Sequence, residues 1–554
     1  MDMYRAFLAI IISFLILIGY QYFFVAPPIN QPVPGPEIAT QKTEPPPVMA
    51  TGEKSPPAAA PTSIVPVPVQ NVVVDQNARD ITIDTPLYSA VINEQGGGFK
   101  SFTLKKYTKE KTGDTSFVEL VQTELPTELP IIFSLNNDAS QGLPVFKADK
   151  EKIVLHGESG TANLVMTASL GGGVEITRTL VFDAASYLIN DRYQVSTSSA
   201  APVSATPALV LTNKPFAVAN SASRYMFAGP VAFINGELSE VKGKKLTKGP
   251  QMFQGKVSWA AYEDNYFISA VMPDGEGNRT VQMNAMGDTV RTIITEGEVV
   301  LSSGKPVDFN YSLYFGPKKL SILKEVDRNL AKSINFGWFD VLAKPMLWLL
   351  NFFYDTIRNY GIAIILLTVL IKGTFWPISQ KGMKSMKNMQ KLQPKVAKLK
   401  EKFKDDPQKM NQEMMALYKT YKVNPLGGCL PMFLQIPFFF ALYKVLLMSI
   451  ELRHAPFMLW INDLSAPDRL WIGFDIPYLH GIPVLTLLMG GSMYLQQKMS
   501  PTTADPTQAK IMQMLPVIFT FMFLNFASGL VLYWFVNNLL SILQQQLINR
   551  QTRS

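Results

Sequence analysis

The sequence predicts a multi-pass α-helical membrane protein, six spans of which five form a helical core, carrying a large antiparallel β-sandwich domain on its outer side. Three features predict it. Six apolar segments of near-spanning length recur along the 554 residues. Between the first and the second, from Asn71 to Pro317, short alternating runs are separated by Gly, Asn and Asp, the texture of paired strands. The charge is also concentrated: window 379–429 holds twelve Lys against four acids (Glu401, Asp405, Asp406 and Glu413), which accounts for the whole net +8. The remainder is neutral and has no general attraction for polyanions, so DNA is not an expected partner. One Cys excludes a disulfide framework, and three scattered His (His156, His454 and His480) form no ligand cluster, so no metal or cofactor is expected.

Residues 1–25 are read as an N-terminal anchor. Ala6 to Val25 is a 20-residue run without charge, enough to cross a hydrocarbon core of about 30 Å as a helix. A cleaved signal peptide is the rival, but Pro27 and Pro28 stand where small residues would be needed. Residues 26–70 hold 13 of the 39 prolines and read as an extended linker. Residues 71–330 form the β-sandwich, with strands expected at 174–182 and 308–315 and a turn at Glu94-Gln-Gly-Gly-Gly98. The Gly triplets 96–98 and 171–173 lack the flanking motif of a phosphate cradle and read as hairpin turns.

Residues 333–359 are read as an amphipathic helix lying in the membrane interface. Lys344, Asn351, Asp355 and Arg358 share one face, opposite Trp338, Phe339, Leu342, Leu349, Phe352 and Phe353. A soluble helix packed on the β domain is the alternative. Residues 360–549 carry five spans, at about 361–378, 430–449, 482–496, 511–524 and 528–543, and 550–554 is a short tail. The Lys-rich window, together with Lys498 and Lys510, marks the cytoplasmic side, placing both termini inside and the β domain outside. No repeated block of spans points to a secondary transporter.

The most informative residue is Lys372. A Lys near the middle of a span costs about 2.5–3.5 kcal/mol on insertion scales, so it is expected to face a hydrated cavity or a partner. Snorkelling toward Trp376 and the following lysines is the alternative. Thr368 lies one turn earlier, Gln435 sits between Pro431 and Pro437, and Tyr533, Asn537, Ser541 and Gln544 make a polar stripe on the last span. Such stripes serve as interhelical glue or line a wet groove. Within 379–429, Met383, Met386, Met389, Leu392 and Val396 recur at helical spacing among the lysines, and Asp405-Asp-Pro407 precedes a second run with Met410, Met414 and Leu417. This predicts a helical hairpin. Lys384, Lys387 and Lys391 with Met386, Met389 and Met414 then form a docking face for anionic lipid, ribosomal RNA or a nascent apolar segment. A solvated surface hairpin is the ordinary alternative.

Met414-Met-Ala-Leu-Tyr-Lys419, Lys422-Val-Asn-Pro-Leu-Gly-Gly-Cys-Leu-Pro431, Gln435-Ile-Pro437, Ala441-Leu-Tyr443 and Gly529-Leu-Val-Leu-Tyr533 resemble the core of the YidC/Oxa family of membrane insertases. Gly337-Trp-Phe-Asp340 with Ala343-Lys-Pro345 is similar to its interfacial helix, and the anchor, linker and β domain are similar to the Gram-negative form. The resemblance implies a hydrophilic groove open to cytoplasm and lipid and closed toward the periplasm. Lys372 matches the family's groove cation, commonly Arg; the charge is kept and the bidentate fork is lost. The family's substrate-contacting aromatics fall on Tyr533 and Trp534, with Thr368, Gln435 and Asn537 beside them. Asn525 replaces an aromatic of close relatives, and the chain ends soon after Gln546 without a long basic tail, so neither feature's role carries over. The implied function is a non-enzymatic insertase and chaperone of the bacterial inner membrane, acting alone or with the Sec translocon. Implied partners are nascent integral membrane proteins, the Sec translocon and its accessory subunits, the ribosome, the signal recognition particle receptor and anionic lipid. A channel or solute transporter with a periplasmic binding domain is the second reading, and an anchored carbohydrate-modifying enzyme the third.

Overall fold

The computed structural model describes residues 65–66 and 77–551, except 111–115, 124, 137–142, 217–226, 405, 422–429, 475, 477–478 and 500–505. The expected anchor at 1–25, most of the linker and residues 552–554 lie outside them.

Period-two patterning builds the first half. Val174–Asp183 alternates buried and outward residues along its length, as a strand with one covered face must. Ala208–Asn213, Gly229–Ile234 and Phe267–Pro273 are buried at every position, because both of their faces are covered. Among the described residues these strands form sheets of 13, five and three strands, antiparallel apart from the pairings of Val65–Pro66 with Val203–Ala205 and of Asp80–Asp84 with Lys152–Val154. The result is a large β-sandwich. Both Gly triplets are hairpin turns, Gly96–Gly98 joining Tyr88–Asn93 to Phe99–Thr108 and Gly171–Gly173 joining Thr161–Leu170 to Val174–Asp183. At Gly97, φ is +68° and a Cβ would lie 3.2 Å from the Arg178 guanidinium. That guanidinium is fully buried, paired with Asp191 through Nε (2.8 Å) and Nη2 (2.7 Å), and donates through Nη1 to the Gly97 carbonyl.

Helices follow: α1 (Leu320–Val326), α2 (Asp340–Ile357), α3 (Tyr360–Lys402), α4 (Pro407–Thr420), α5 (Leu430–Met448), α6 (Val484–Met499), α7 (Pro506–Phe523) and α8 (Ser528–Gln551). The helix expected over 333–359 is shorter. Gly337 at φ +64° interrupts it, Asp340 accepts from the Phe336 N–H (2.8 Å), and Arg358 ends it at φ +60°. Ala343, Met346, Leu347 and Leu350 pack inward, while Trp338 is 99% exposed and Val341, Trp348 and Phe352 also face outward.

The span expected at about 361–378 and the start of the hairpin expected over 379–429 are one helix, α3, 43 residues long with Pro377 and Pro394 inside it. After α3, Asp406 caps α4 by accepting from the Lys409 N–H (3.0 Å), with Pro407 in the first turn.

One continuous apolar core joins the β domain to the helices, through Leu323, Leu330 and Phe336 to Leu350, Leu367, Val445 and Leu530. Polar contacts reinforce the junction. Arg453, just beyond α5, donates to the carbonyls of Thr108 (2.6 Å) and Lys109 (2.8 Å) and lies over the rings of Tyr266 and Phe267. Next to it, Glu263 and Lys318 form a buried ion pair at 3.1 Å. Burial pushes the Glu263 carboxyl up to about 7 against the pull of Lys318. Below about 4.5 it is protonated in folded and unfolded chains alike; between there and about 7 only the folded state keeps the proton. Stability therefore falls as pH rises through that window and levels off above it. Thermal midpoints are expected to decline from about pH 5 to about pH 7.5, with Glu263→Gln flattening the decline; parallel profiles for both proteins would remove Glu263 as its source.

Candidate functional site

The site begins with a lysine inside an apolar helix. Lys372 is 9% exposed, and its ammonium donates to Ser541 Oγ of α8 at 2.7 Å. The Ser541 hydroxyl in turn donates to the Asn537 carbonyl at 2.8 Å. The contact follows from helix geometry: α8 packs along α3, and Asn537 and Ser541, four residues apart, share a face.

The same face reaches α5. Gln435 Nε2 donates to Asn537 Oδ1 at 3.0 Å and lies 3.5 Å from the Tyr533 hydroxyl. Tyr533 is buried and stacks near Phe439, and half-buried Trp534 packs edge-on against Phe439 and Phe523. Lys372, Gln435, Tyr533 and Asn537 thus belong to one connected cluster, with Trp534 beside it. Thr368 is buried on the same side as Lys372, but its hydroxyl is spent on the Ile364 carbonyl of its own helix (2.6 Å).

Several members were not legible as partners. Ser541 stood in the polar stripe without being assigned to Lys372. Toward the end of α3, Ser379 donates to Gln544 Oε1 (3.1 Å), whose amide donates to the Trp376 carbonyl (3.2 Å). On another face of α8, Asn538 donates to Ser492 of α6 (3.0 Å) and Gln545 to the Met499 carbonyl (2.6 Å). The Asn537-Asn538 doublet was the available signal, since adjacent residues cannot share a helix face. Gly490 completes the α6 contact, letting Thr520 of α7 occupy the space of a Cβ.

The hairpin residues lie apart from this cluster. Lys384 and Lys391 are exposed, and Lys387 donates to Asn549 at the end of α8 (3.3 Å). Met386, Met389 and Met414 are half-buried, while Leu392 and Val396 of the same stripe are fully buried. Part of the stripe is therefore consumed by the hairpin's own packing.

Ser541→Ala would leave a buried ammonium without its acceptor, at a cost of about 1–3 kcal/mol. We expect a lower thermal midpoint in detergent, largely restored in the double variant Lys372→Met/Ser541→Ala. If Ser541→Ala costs as much in the Lys372→Met background as in the wild-type chain, the two side chains are not coupled.

Two family models match this chain: one described as YidC periplasmic domain over residues 80–349, the other as 60Kd inner membrane protein over residues 352–554. The membrane protein insertase YidC of Syntrophobacter fumaroxidans is 40% identical, covering 99% of both chains. That of Geobacter sulfurreducens is 42% identical, covering 99% of this chain and 98% of its own. A solved structure, an active YidC insertase with its first transmembrane domain resolved, is 18% identical, covers 87% of this chain and 94% of its own, and has a TM-score of 0.36. Identity at this level along nearly the entire length establishes that the chain belongs to the YidC family of membrane protein insertases.

Proposed function

We propose that this protein inserts and folds integral membrane proteins through a hydrophilic, cationic groove centred on Lys372. The observation that carries the reading is a cation held within an apolar helix by hydroxyl and amide groups alone, Ser541 beside it and Gln435 and Asn537 adjoining. Among the described residues no acid neutralises it in an ion pair. A net positive charge in hydrocarbon attracts the acidic, hydrophilic part of a substrate. The substrate's apolar segment then leaves along α8, past Tyr533 and Trp534, driven by its own burial at about 25 cal/mol per Å². No bond is made or broken, in keeping with a family of insertases rather than enzymes.

In this reading α3, α5, α6, α7 and α8 cross the bacterial inner membrane, residues 6–25 add a sixth span, both termini are cytoplasmic and the β domain is periplasmic. Among the described residues α3 is the helix long and apolar enough to span by itself, with shorter apolar stretches at Phe433–Met448 and Gln513–Phe523. Exposed Leu487, Leu488, Val517, Ile518, Phe521 and Leu539 supply the lipid-facing surface. The Lys-rich hairpin, through Lys384, Lys387, Lys391 and its methionines, meets the ribosome, anionic lipid or the emerging chain. The Sec translocon with its accessory subunits and the signal recognition particle receptor are the other partners.

Lys372→Ala and Lys372→Glu are expected to cut insertion of a substrate with a charged translocated tail by about tenfold or more. Crosslinkers placed at 372, 533 and 534 should capture a stalled nascent membrane protein. Undiminished insertion by a folded Lys372→Glu variant, or crosslinks absent at all three positions, would refute the groove. Solute flux in proteoliposomes without a nascent chain would favour the channel reading instead.

A further inference from the structure

A cavity of about 320 Å³ opens where the β domain meets the helices, lined by Lys106, Tyr107, Tyr187, Lys319, Ile322 and Glu325 among others. Its size is at the small end of the roughly 300–1,000 Å³ of small-molecule sites. Its location is set by hydrogen bonds. The strand Phe99–Thr108 carries Lys106 and Tyr107, and its last residue accepts from Arg453, five positions beyond the end of α5. On the opposite wall, Lys319 sits close enough to Glu451 for their charges to interact. The cavity thus lies just past the end of a spanning helix. In the membrane reading above, the headgroup layer extends about 5–8 Å beyond the hydrocarbon on each side, the layer next to that helix end.

Its chemistry is uncommitted. The neighbouring Lys105 and Lys318 are paired, with Asp84 and Glu263. Lys106, Lys319 and Glu325, by contrast, have no opposite charge within 4.0 Å among the described residues. Leu87, Leu188, Ile322 and Val326 supply an apolar remainder.

We propose that this cavity binds the headgroup of an outer-leaflet aminophospholipid. Lys106 and Lys319 hold its phosphodiester, Glu325 faces its ammonium, and the apolar wall meets the first carbons of its chains. Two cations and one carboxylate match a zwitterion that carries both signs, and favour it over a headgroup with phosphate alone. The bound lipid would fix the height of the β domain over the bilayer. The placement rests on the membrane reading given above.

The test uses the full chain, stripped of lipid in detergent and titrated by calorimetry with dihexanoyl phosphatidylethanolamine. Lys106→Glu/Lys319→Glu is expected to weaken binding at least about tenfold, and Glu325→Gln to lower the preference over dihexanoyl phosphatidylglycerol at least about threefold. If the double variant does not fold, Lys319→Gln is read instead, with a loss of about threefold expected. Wild-type affinity in a charge-altered variant of unchanged thermal midpoint would overturn the site. Equally tight binding of glycerophosphoethanolamine, which has no acyl chains, would overturn the lipid assignment in favour of a free phosphate ester. No nascent chain is present, so failure here leaves the Lys372 crosslinking result untouched, and failure there leaves this titration untouched.

Discussion

An ammonium inside an apolar helix needs an acceptor, and the arrangement of the helical half follows from how Lys372 finds one. Its bond to Ser541 fixes the register of α3 against α8. A slip of one residue in either helix would turn the acceptor away, leaving a charge whose insertion costs about 2.5–3.5 kcal/mol. With that register set, Ser379 meets Gln544 nearly two turns further along, and Asn537 faces Gln435 of α5. These contacts continue one polar seam along α8. The second seam, Asn538 to Ser492 and Gln545 to Met499, lies on a neighbouring face and holds α6. Two separate faces of one helix thus carry polar contacts to its neighbours.

The end of the bundle next to the β domain is closed by carboxylates used as caps. Asp468 accepts from the Trp460 indole and from the backbone N–H groups of Leu485 and Thr486 at the start of α6. Asp463 accepts from His454 N–H and from Ser465, while its carbonyl receives the Ser528 hydroxyl at the start of α8. Asn359 caps α3 and donates to the Phe457 carbonyl. Gly361 allows this approach, since a Cβ there would collide with the Phe457 ring. One loop thus ties down the starts of three helices with directed bonds, and Arg453 in the same loop grips the β domain.

Much of this was legible because it depends on period and composition. Strict alternation at 174–183 is the signature of a strand with one covered face, and the apolar runs at 430–448 and 528–543 suit helices whatever they pack against. Lys372 was legible because a charge in such a run is expensive in any fold. What escaped reading depends on neighbours distant in sequence. The Arg178–Asp191 pair looks like ordinary alternating polarity on two strands, and only burial of both side chains reveals it as part of the β core. That the span at 361–378 continues as one helix into the Lys-rich window was not legible, because Pro377 and Pro394 normally interrupt a helix. Which side of α2 meets the bundle was not legible, because apolar residues surround that helix.

A different constraint acts on the hairpin. A methionine stripe suits promiscuous apolar contact, but Leu392 and Val396 are already buried, and Lys387 ties the first arm to the end of α8. What remains open is mostly charge: Lys384, Lys391 and their neighbours are exposed, with Met415 and Tyr421 the large apolar residues left outward among the described ones. Interaction with a polyanion or an anionic lipid surface therefore needs no rearrangement, whereas engaging an apolar segment requires the arms to part. The charges act first and at longer range, over about a Debye length of 8 Å at physiological salt. In the proposed function the hairpin would accordingly attract before it binds.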